Sequence, residues 1–439
     1  MLEKLRNIFQ VPELRRRIFF TLGLFVIYRL GEHVPTPGVN LTALTAAFRS
    51  QANGLFGMYD MFVGRAFSRA TIFALGIMPY ISASIILQLL GAVVPYFEKL
   101  RKEGEEGQKK ITQYTRYGTV LISIVQSVAY SLFLVNLGAS QGLSVVPNPG
   151  FGFTFSTVIT QTAGTILVMW LGEKITEFGI GNGISLIIFV NILGGLPAGV
   201  KSTIENVRGG NLSILALLFM AAIVIIVVAA VVVMTQATRK IPVQYAKRVV
   251  GRRMYGGQST HIPLRVNTAG VIPIIFASSI MMLPAAVAGF FPPSSPVASM
   301  GQFFTRTSWV YNILYATIIV FFTYFYTAVV LNPNDLAENM RKYGGFIPGI
   351  RPGKKTAEYI DRVLTRITLP GALFLAAIAV FPDIILAVFK VQSLAFGGTS
   401  VLIVVGVALD TLQQVESHLL MRHYEGFVKR SRLRGRQRM

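Results

Sequence analysis

The chain contains no cysteine among its 439 residues, and only 14% of its residues are charged. The absence of cysteine excludes disulfide bonds, thiolate metal sites and a thiol nucleophile. The four histidines are scattered, apart from one pair in the basic tail, and indicate surface residues rather than a metal site. Neither a phosphate-binding loop nor a nucleophile with its base is present. The sequence therefore predicts neither an enzyme nor a bound metal or cofactor.

Apolar residues dominate what the chain does contain. Hydrophobic residues make up 53% of it and the mean hydropathy is +0.58, values that exclude a soluble protein of this length. Apolar windows long enough to cross a bilayer predict an all-α integral membrane protein with ten transmembrane helices. The predicted spans are residues 18–34, 73–95, 117–137, 155–172, 183–200, 212–236, 268–290, 310–331, 369–389 and 400–417.

Basic residues are distributed unevenly over the segments between these spans. If the amino terminus is inside, 33 of the 41 lysine and arginine residues fall in inside segments. The positive-inside rule then places both termini in the cytoplasm. Two inside loops, 237–267 and 332–368, are long and basic. They are typical either of a surface attracted to anionic lipid or of a docking site for a large anionic partner.

Two similar stretches lie 194 residues apart. Residues 76–90, GIMPYISASIILQLL, and residues 270–284, GVIPIIFASSIMMLP, are identical at seven of fifteen positions. The charge distribution makes the first stretch run inward and the second outward, so the two copies are inverted. A weaker pair, 183–190 and 398–405, behaves in the same way. Either the pairs match by chance, as apolar strings do, or the chain consists of two inverted pseudo-symmetric halves of five helices each.

These halves are predicted as 1–205, with the first five spans, and 206–439, with the last five and both basic loops. The segment 55–67 lies outside the spans, yet it is apolar and too short to cross a membrane. Its composition predicts either a half-helix buried in an outward-facing cavity or an interfacial helix. Two loop features also stand out: alternating apolar and basic residues in 239–267 predict a hairpin, and PGIRPG holds Arg351 between two Pro-Gly pairs.

Several motifs stand out along the chain, namely FALGIMPYISASIILQLL (73–90), KKITQYTRYGT (109–119), GIGNGIS (179–185), YAKR with GRR (245–253), QSTHIPLRVNTAGVIP (258–273) and PGIRPG (348–353). Together they resemble the SecY family, the central subunits of the bacterial protein-conducting channel. The resemblance runs nearly from end to end, in order and in spacing.

The resemblance implies a channel that passes unfolded polypeptides across the bacterial plasma (inner) membrane and releases hydrophobic segments sideways into lipid. It implies SecE and SecG subunits, the SecA motor ATPase, the ribosome, signal peptides, nascent chains and membrane lipids as partners. The segment 55–67 becomes the plug that closes the outer funnel. Where many members have Gly-Gly in the plug, this chain has Gly64-Arg65.

The resemblance also assigns site residues, in three sets. The implied pore ring is Ile81, Ile85, Ile184, Ile188, Ile275 and Ile403. The implied lateral gate, between the second and seventh spans, contains Ala83, Ser84, Ala277, Ser278 and Ser279. The implied docking residues for the motor or ribosome are Lys247, Arg248, Arg252, Arg253 and Arg351.

A second hypothesis from the inverted repeat is a small-solute secondary transporter. Such a transporter is expected to hold carboxylates near the membrane midplane, and the spans contain almost none away from their ends. A scaffold without transport is a third hypothesis, but it does not need small-residue seams in inverted helices. The oversized basic loops and the missing carboxylates favour the protein channel.

Overall fold

The computed structural model describes residues 11–49, 55–141, 144–210, 213–245, 248–250, 253–255, 259–288, 308–389 and 398–435. The helices of these residues, in chain order, are α1 (Pro12–Gly31), α2 (Leu41–Arg49), α3 (Leu55–Phe62), α4 (Met78–Val93), α5 (Pro95–Lys102), α6 (Glu105–Gln141), α7 (Phe151–Phe178), α8 (Gly183–Arg208), α9 (Ile214–Gln236), α10 (Ile272–Ala288), α11 (Trp309–Val330), α12 (Pro333–Lys342), α13 (Lys354–Phe389) and α14 (Gly398–Gly435). The strands are β1 (Thr238–Tyr245), β2 (Arg248–Val250), β3 (Arg253–Tyr255), β4 (Ser259–Arg265) and β5 (Gly345–Phe346).

Each of the ten predicted spans coincides with one of these helices. Seven of the described helices are long and apolar enough to cross a membrane, namely α6, α7, α8, α9, α11, α13 and α14. Helices α4 and α5 pass the same test as a pair that is bent by 97°. The bend lies at Pro95, which lacks the N–H that a continuing helix would need and instead begins α5. Helix α10 is a shorter apolar helix within the described residues.

The chain divides into two compact units. The first consists of Met1–Ser202, Met282–Thr305 and Val407–Met439, and the second of Thr203–Met281 and Arg306–Gly406.

In the first unit, the segment that follows α3 is anchored on an aromatic cluster. The ring of Phe67 lies 4.7 Å from that of Tyr130 in α6 and 5.0 Å from that of Tyr59 in α3, between centroids. The Tyr130 hydroxyl donates a hydrogen bond to the Phe67 carbonyl at 2.7 Å, and the Tyr59 hydroxyl donates to the Leu75 carbonyl at 3.0 Å. Because buried carbonyls need donors, these bonds fix an irregular backbone among helices.

In the second unit, the two long basic loops form one structure. The predicted hairpin is present: β1 pairs with β4 in antiparallel register, with Ile241 opposite Ile262. Strand β5, from the other loop, pairs with the opposite edge of β1, which makes the sheet order β4-β1-β5. Exposed and buried residues alternate along β1, and its buried Ile241 and Val243 belong to an apolar cluster shared with α12 and α13.

Candidate functional site

The six isoleucines of the implied ring lie in four helices. Ile81 and Ile85 are four residues apart in α4, and Ile184 and Ile188 are four apart in α8, so each pair shares a helix face. Ile275 lies in α10 and Ile403 in α14. Five of the six are buried; Ile184 is half-buried, and it lies against Gly172 of α7. The first four belong to the first unit, and the last two belong to the second.

The implied gate residues lie in α4 and α10. The hydroxyls of Ser278 and Ser279 both donate to the Ile275 carbonyl of their own helix, at 2.9 and 2.8 Å. In α4, the Ser84 hydroxyl accepts a hydrogen bond from Gln88 at 3.1 Å. Bonds within one helix satisfy a hydroxyl without tying its helix to a neighbour. Small residues of this kind let helices approach closely without a strong polar connection.

Ala277 is buried in α10, whereas Ala83 of α4 lies close to Gly118 of α6. Ala83 therefore occupies the contact between two helices of the first unit. A Cβ at Gly118 would lie 3.4 Å from that of Ala83, in ordinary van der Waals contact.

The helix of the implied plug is shorter than the segment 55–67. Helix α3 ends at Phe62, and turns follow it. Two residues of this turn have a positive φ: Gly64, with φ +70°, and Arg65, with φ +68°. Both values lie in the left-handed region, which glycine adopts without strain and other residues avoid. Arg65 is therefore strained where the family resemblance implies a second glycine.

A buried carboxyl supports this turn. Asp60 of α3 is 8% exposed, and its carboxylate accepts a hydrogen bond from the Ser68 N–H at 2.8 Å. Burial raises the pKa of the Asp60 carboxyl, and the Ser68 N–H and the charges of Arg65 and Arg69 partly offset that rise.

Of the implied docking residues, Arg248 lies in β2 and Arg253 in β3, strands that pair with each other. Lys247 and Arg252 lie outside the described residues. Arg351 is exposed at the tip of the second basic loop. The glycines on either side of it have φ +80° and +103°, and its carbonyl accepts a hydrogen bond from the Thr356 hydroxyl at 3.0 Å. The tip is therefore turned by glycine on both sides and is bonded to the start of α13.

A polar cluster in the first unit was missed by the sequence reasoning. Asn191 of α8 is 1% exposed and hydrogen-bonds both Tyr28 of α1 and the backbone of Phe62. Next to it lies an ion pair between Arg29 and Glu32, with an N–O distance of 2.5 Å. The available signal was a charged residue inside an apolar span, which is costly and marks a functional position by default.

A sequence model of the SecY family matches residues 71–412. The chain belongs to the SecY family. Protein translocase subunit SecY of Thermus thermophilus is 47% identical to it over 440 residues, covering 100% of both chains.

Solved structures of SecY-type channels have the same fold. One, which concerns the plug domain that stabilises the closed state of the SecY channel and maintains a membrane seal, matches with a TM-score of 0.64 at 18% identity over 92% of each chain. Another, Sec61 in the canine ribosome-channel complex, matches with a TM-score of 0.61 at 17% identity over 92% of each chain.

Family membership and fold together confirm the ten-helix SecY architecture of two inverted halves. They also confirm that this SecY-family chain is a protein-conducting channel and not an enzyme. The small-solute transporter hypothesis and the scaffold hypothesis are no longer needed.

Proposed function

We propose that this chain is the pore-forming subunit of a translocase in a bacterial plasma membrane, with both termini in the cytoplasm. The halves 1–205 and 206–439 surround the route of the polypeptide. The orientation is supported by the excess of basic residues in the inside loops. Signal peptides and nascent chains are its cargo, membrane lipids receive the hydrophobic segments, and SecE and SecG are its accompanying subunits.

The constriction consists of Ile81, Ile85, Ile184, Ile188, Ile275 and Ile403. A lining of branched apolar side chains excludes ions because water leaves it, yet such a lining yields to a passing chain of any sequence. What supports this assignment is residue type and helix position: each half supplies isoleucines, and the inverted stretches pair Ile81 with Ile275 and Ile188 with Ile403.

The lateral gate is the seam between α4 and α10, with Ala83, Ser84, Ala277, Ser278 and Ser279 as its small residues. The serine hydroxyls bond within their own helices, so that parting the seam breaks none of these hydrogen bonds. The chain has no cysteine, so Ser84→Cys combined with Ser278→Cys or Ser279→Cys is a clean cross-linking test. Oxidation should block insertion of membrane proteins, and reduction should restore it. If no cysteine pairing along these helices cross-links, the gate is misplaced.

Docking of SecA or the ribosome uses the two basic loops, through Arg351 and the group Lys247, Arg248, Arg252 and Arg253. The observation that supports one shared surface is the β4-β1-β5 sheet, which joins the loops. Exposed arginine forms strong charge-assisted bonds to carboxylates and phosphates, so it suits both an acidic protein face and ribosomal RNA. A ribosome-bound channel is among the similar structures.

The segment 55–67 is the plug, and the observation that carries this assignment is its location. It is an apolar half-helix whose aromatic residues pack within the first unit, next to an irregular turn. In a structurally similar SecY channel, the plug domain stabilises the closed state and maintains a membrane seal.

The function is tested with the full chain reconstituted into proteoliposomes with SecE and SecG. Addition of SecA, ATP and an unfolded precursor should move the precursor into a protease-protected space, whereas a precursor without a signal peptide should stay outside. Uptake of small solutes with no protection of any precursor would contradict the proposal.

A further inference from the structure

Three elements of the first unit meet at one buried asparagine. The side-chain nitrogen of Asn191 in α8 donates to the Tyr28 hydroxyl of α1 and to the Phe62 carbonyl, both at 2.9 Å. A carbonyl oxygen only accepts hydrogen bonds, so the amide nitrogen must face Phe62, which settles the orientation of the amide. Both of its N–H groups are then used.

The Phe62 carbonyl is one that needs such a partner. It belongs to the last residue of α3, where carbonyls no longer find an N–H within their own helix. Asn191 supplies the missing donor from 129 residues away in the chain. The following turn bonds the carbonyls of Asp60 and Met61, and the carbonyl of Phe62 is bonded by a side chain of a transmembrane helix.

An ion pair braces the other side of the asparagine. Arg29 of α1 pairs with Glu32 at 2.5 Å and also donates to the Val190 carbonyl of α8, the residue next to Asn191. Gly194 gives the guanidinium room, since a Cβ there would overlap it. Helices α1 and α8 are thus tied together by a charge-assisted bond at the level of Asn191.

The plug backbone fits against this cluster at one residue. The oxygens Glu32 Oε1 and Asn191 Oδ1 are buried and have no hydrogen-bond partner among the described residues. Both lie beside the α-carbon of Gly64: a Cβ there would collide with Glu32 and would be 3.0 Å from Asn191 Oδ1. A side chain at position 64 would therefore have to displace the Glu32 carboxylate and would also strain the backbone, which has φ +70° there.

We propose that Asn191, braced by the Arg29–Glu32 pair, is a positioning residue that holds the plug closed and sets how strong a signal peptide must be to open the channel. The proposal rests on the proposed role of 55–67 as the plug. When the plug leaves, the bond from Asn191 to Phe62 is lost. A hydrogen bond of this kind contributes enough that losing it should raise the open population about two- to tenfold.

The test uses Asn191→Leu, which is close in size to asparagine and has no hydrogen-bond donor, and Asn191→Ala, which removes the donor without adding bulk. The control is Thr165→Val in α7, because the Thr165 hydroxyl is buried and has no hydrogen-bond partner in the described part of the chain. Each change is combined with Val63→Cys, a position 1% exposed in the plug region. The chain has no other cysteine, so reaction with a membrane-impermeant maleimide reports plug displacement.

Both Asn191 variants should react with the maleimide about two- to tenfold faster than the parent Val63→Cys protein, and the control should react at the parent rate. Export of a precursor with a shortened signal peptide should rise in parallel, while export of a normal precursor stays unchanged and shows that the protein is folded. If the Asn191→Leu protein does not export the normal precursor, the maleimide reaction of the Asn191→Ala protein is the deciding measurement.

Two results separate this inference from the plug assignment. If the Asn191→Ala protein reacts at the parent rate while deletion of 55–67 raises the resting ion conductance, the positioning role is wrong and the plug assignment stands. If that deletion leaves the resting conductance unchanged, the plug assignment fails, and the positioning role fails with it.

Discussion

Arg65 is the residue at which a small change should close the channel more tightly. It has φ +68°, a conformation in which the Cβ of an ordinary residue approaches its own backbone. Arg65→Gly removes that strain. It also removes the charge that favours the ionised form of Asp60, so Arg65→Ala is the proper reference because it removes the charge and keeps the strain.

The expected size of the effect follows from two opposing terms. A left-handed conformation costs a residue with a Cβ about 1–2 kcal/mol. Glycine gains conformational freedom when the plug leaves its site, which favours the open state by roughly 0.5–1 kcal/mol. From the middle of each range, the difference is about 0.75 kcal/mol in favour of closure, or about two- to fivefold fewer open channels.

Planar-bilayer recordings without precursor measure this directly as the fraction of time that the channel conducts. The Arg65→Gly channel should conduct about two- to fivefold less often than the Arg65→Ala channel. Arg65→Asn should fall between them, since asparagine tolerates the left-handed region better than alanine. Equal or more frequent conduction by the glycine variant would refute the view that Arg65 is strained in the closed plug.

Three further predictions concern docking, the ring and pH. Arg351→Glu should stop motor-driven export while the protein still inserts normally. Arg362→Glu, the same charge change on α13, should leave export intact. Equal export by the two variants would indicate that Arg351 faces anionic lipid and does not dock the motor. The Ile403→Asn channel should leak ions at rest and accept weakened signal peptides, because an unsatisfied amide replaces apolar packing at a cost of roughly 1–3 kcal/mol. The Ile403→Leu channel should do neither. If, with the plug deleted, the Ile403→Asn channel conducts no more than the wild-type channel, Ile403 does not line the constriction. Burial raises the pKa of Asp60, so the closed plug binds a proton more tightly than the open plug, and closure is favoured at low pH and weakens as the pH rises through the raised pKa. Asp60→Asn keeps an oxygen for the Ser68 N–H and should flatten this pH dependence of resting conductance; an unchanged profile would assign the titration to another group.

The positions of the spans could be predicted from the sequence because burial in lipid leaves a long, local signal. A helix lies at each of the ten predicted spans, and even the end of the second one, at Pro95, agrees with the start of α5. The two inverted halves could also be predicted, because this prediction needs only the similarity of two stretches and the distribution of basic residues. Both signals are carried by many residues at once.

The details of the proposed plug could not be predicted in this way. The apolar run 55–67 predicted a short helix, but α3 ends at Phe62, because the chain then turns through left-handed residues. Nothing in the propensity of arginine predicts such a turn at Arg65. The hydrogen bond between Asn191 and Phe62 joins residues 129 apart in the chain, and one polar side chain in an apolar span does not indicate its partner.

The two-residue strand β5 could not be predicted either, because Gly345 and Phe346 are too few to show the alternation of apolar and polar residues that indicates a strand. Its pairing with β1 nonetheless changes how force travels through the second unit. Strand β1 begins at Thr238, just after α9 ends at Gln236, and α13 begins at Lys354, three residues beyond Arg351. A force applied at the Arg351 tip would therefore reach two transmembrane helices, α13 directly and α9 through the β5–β1 pairing.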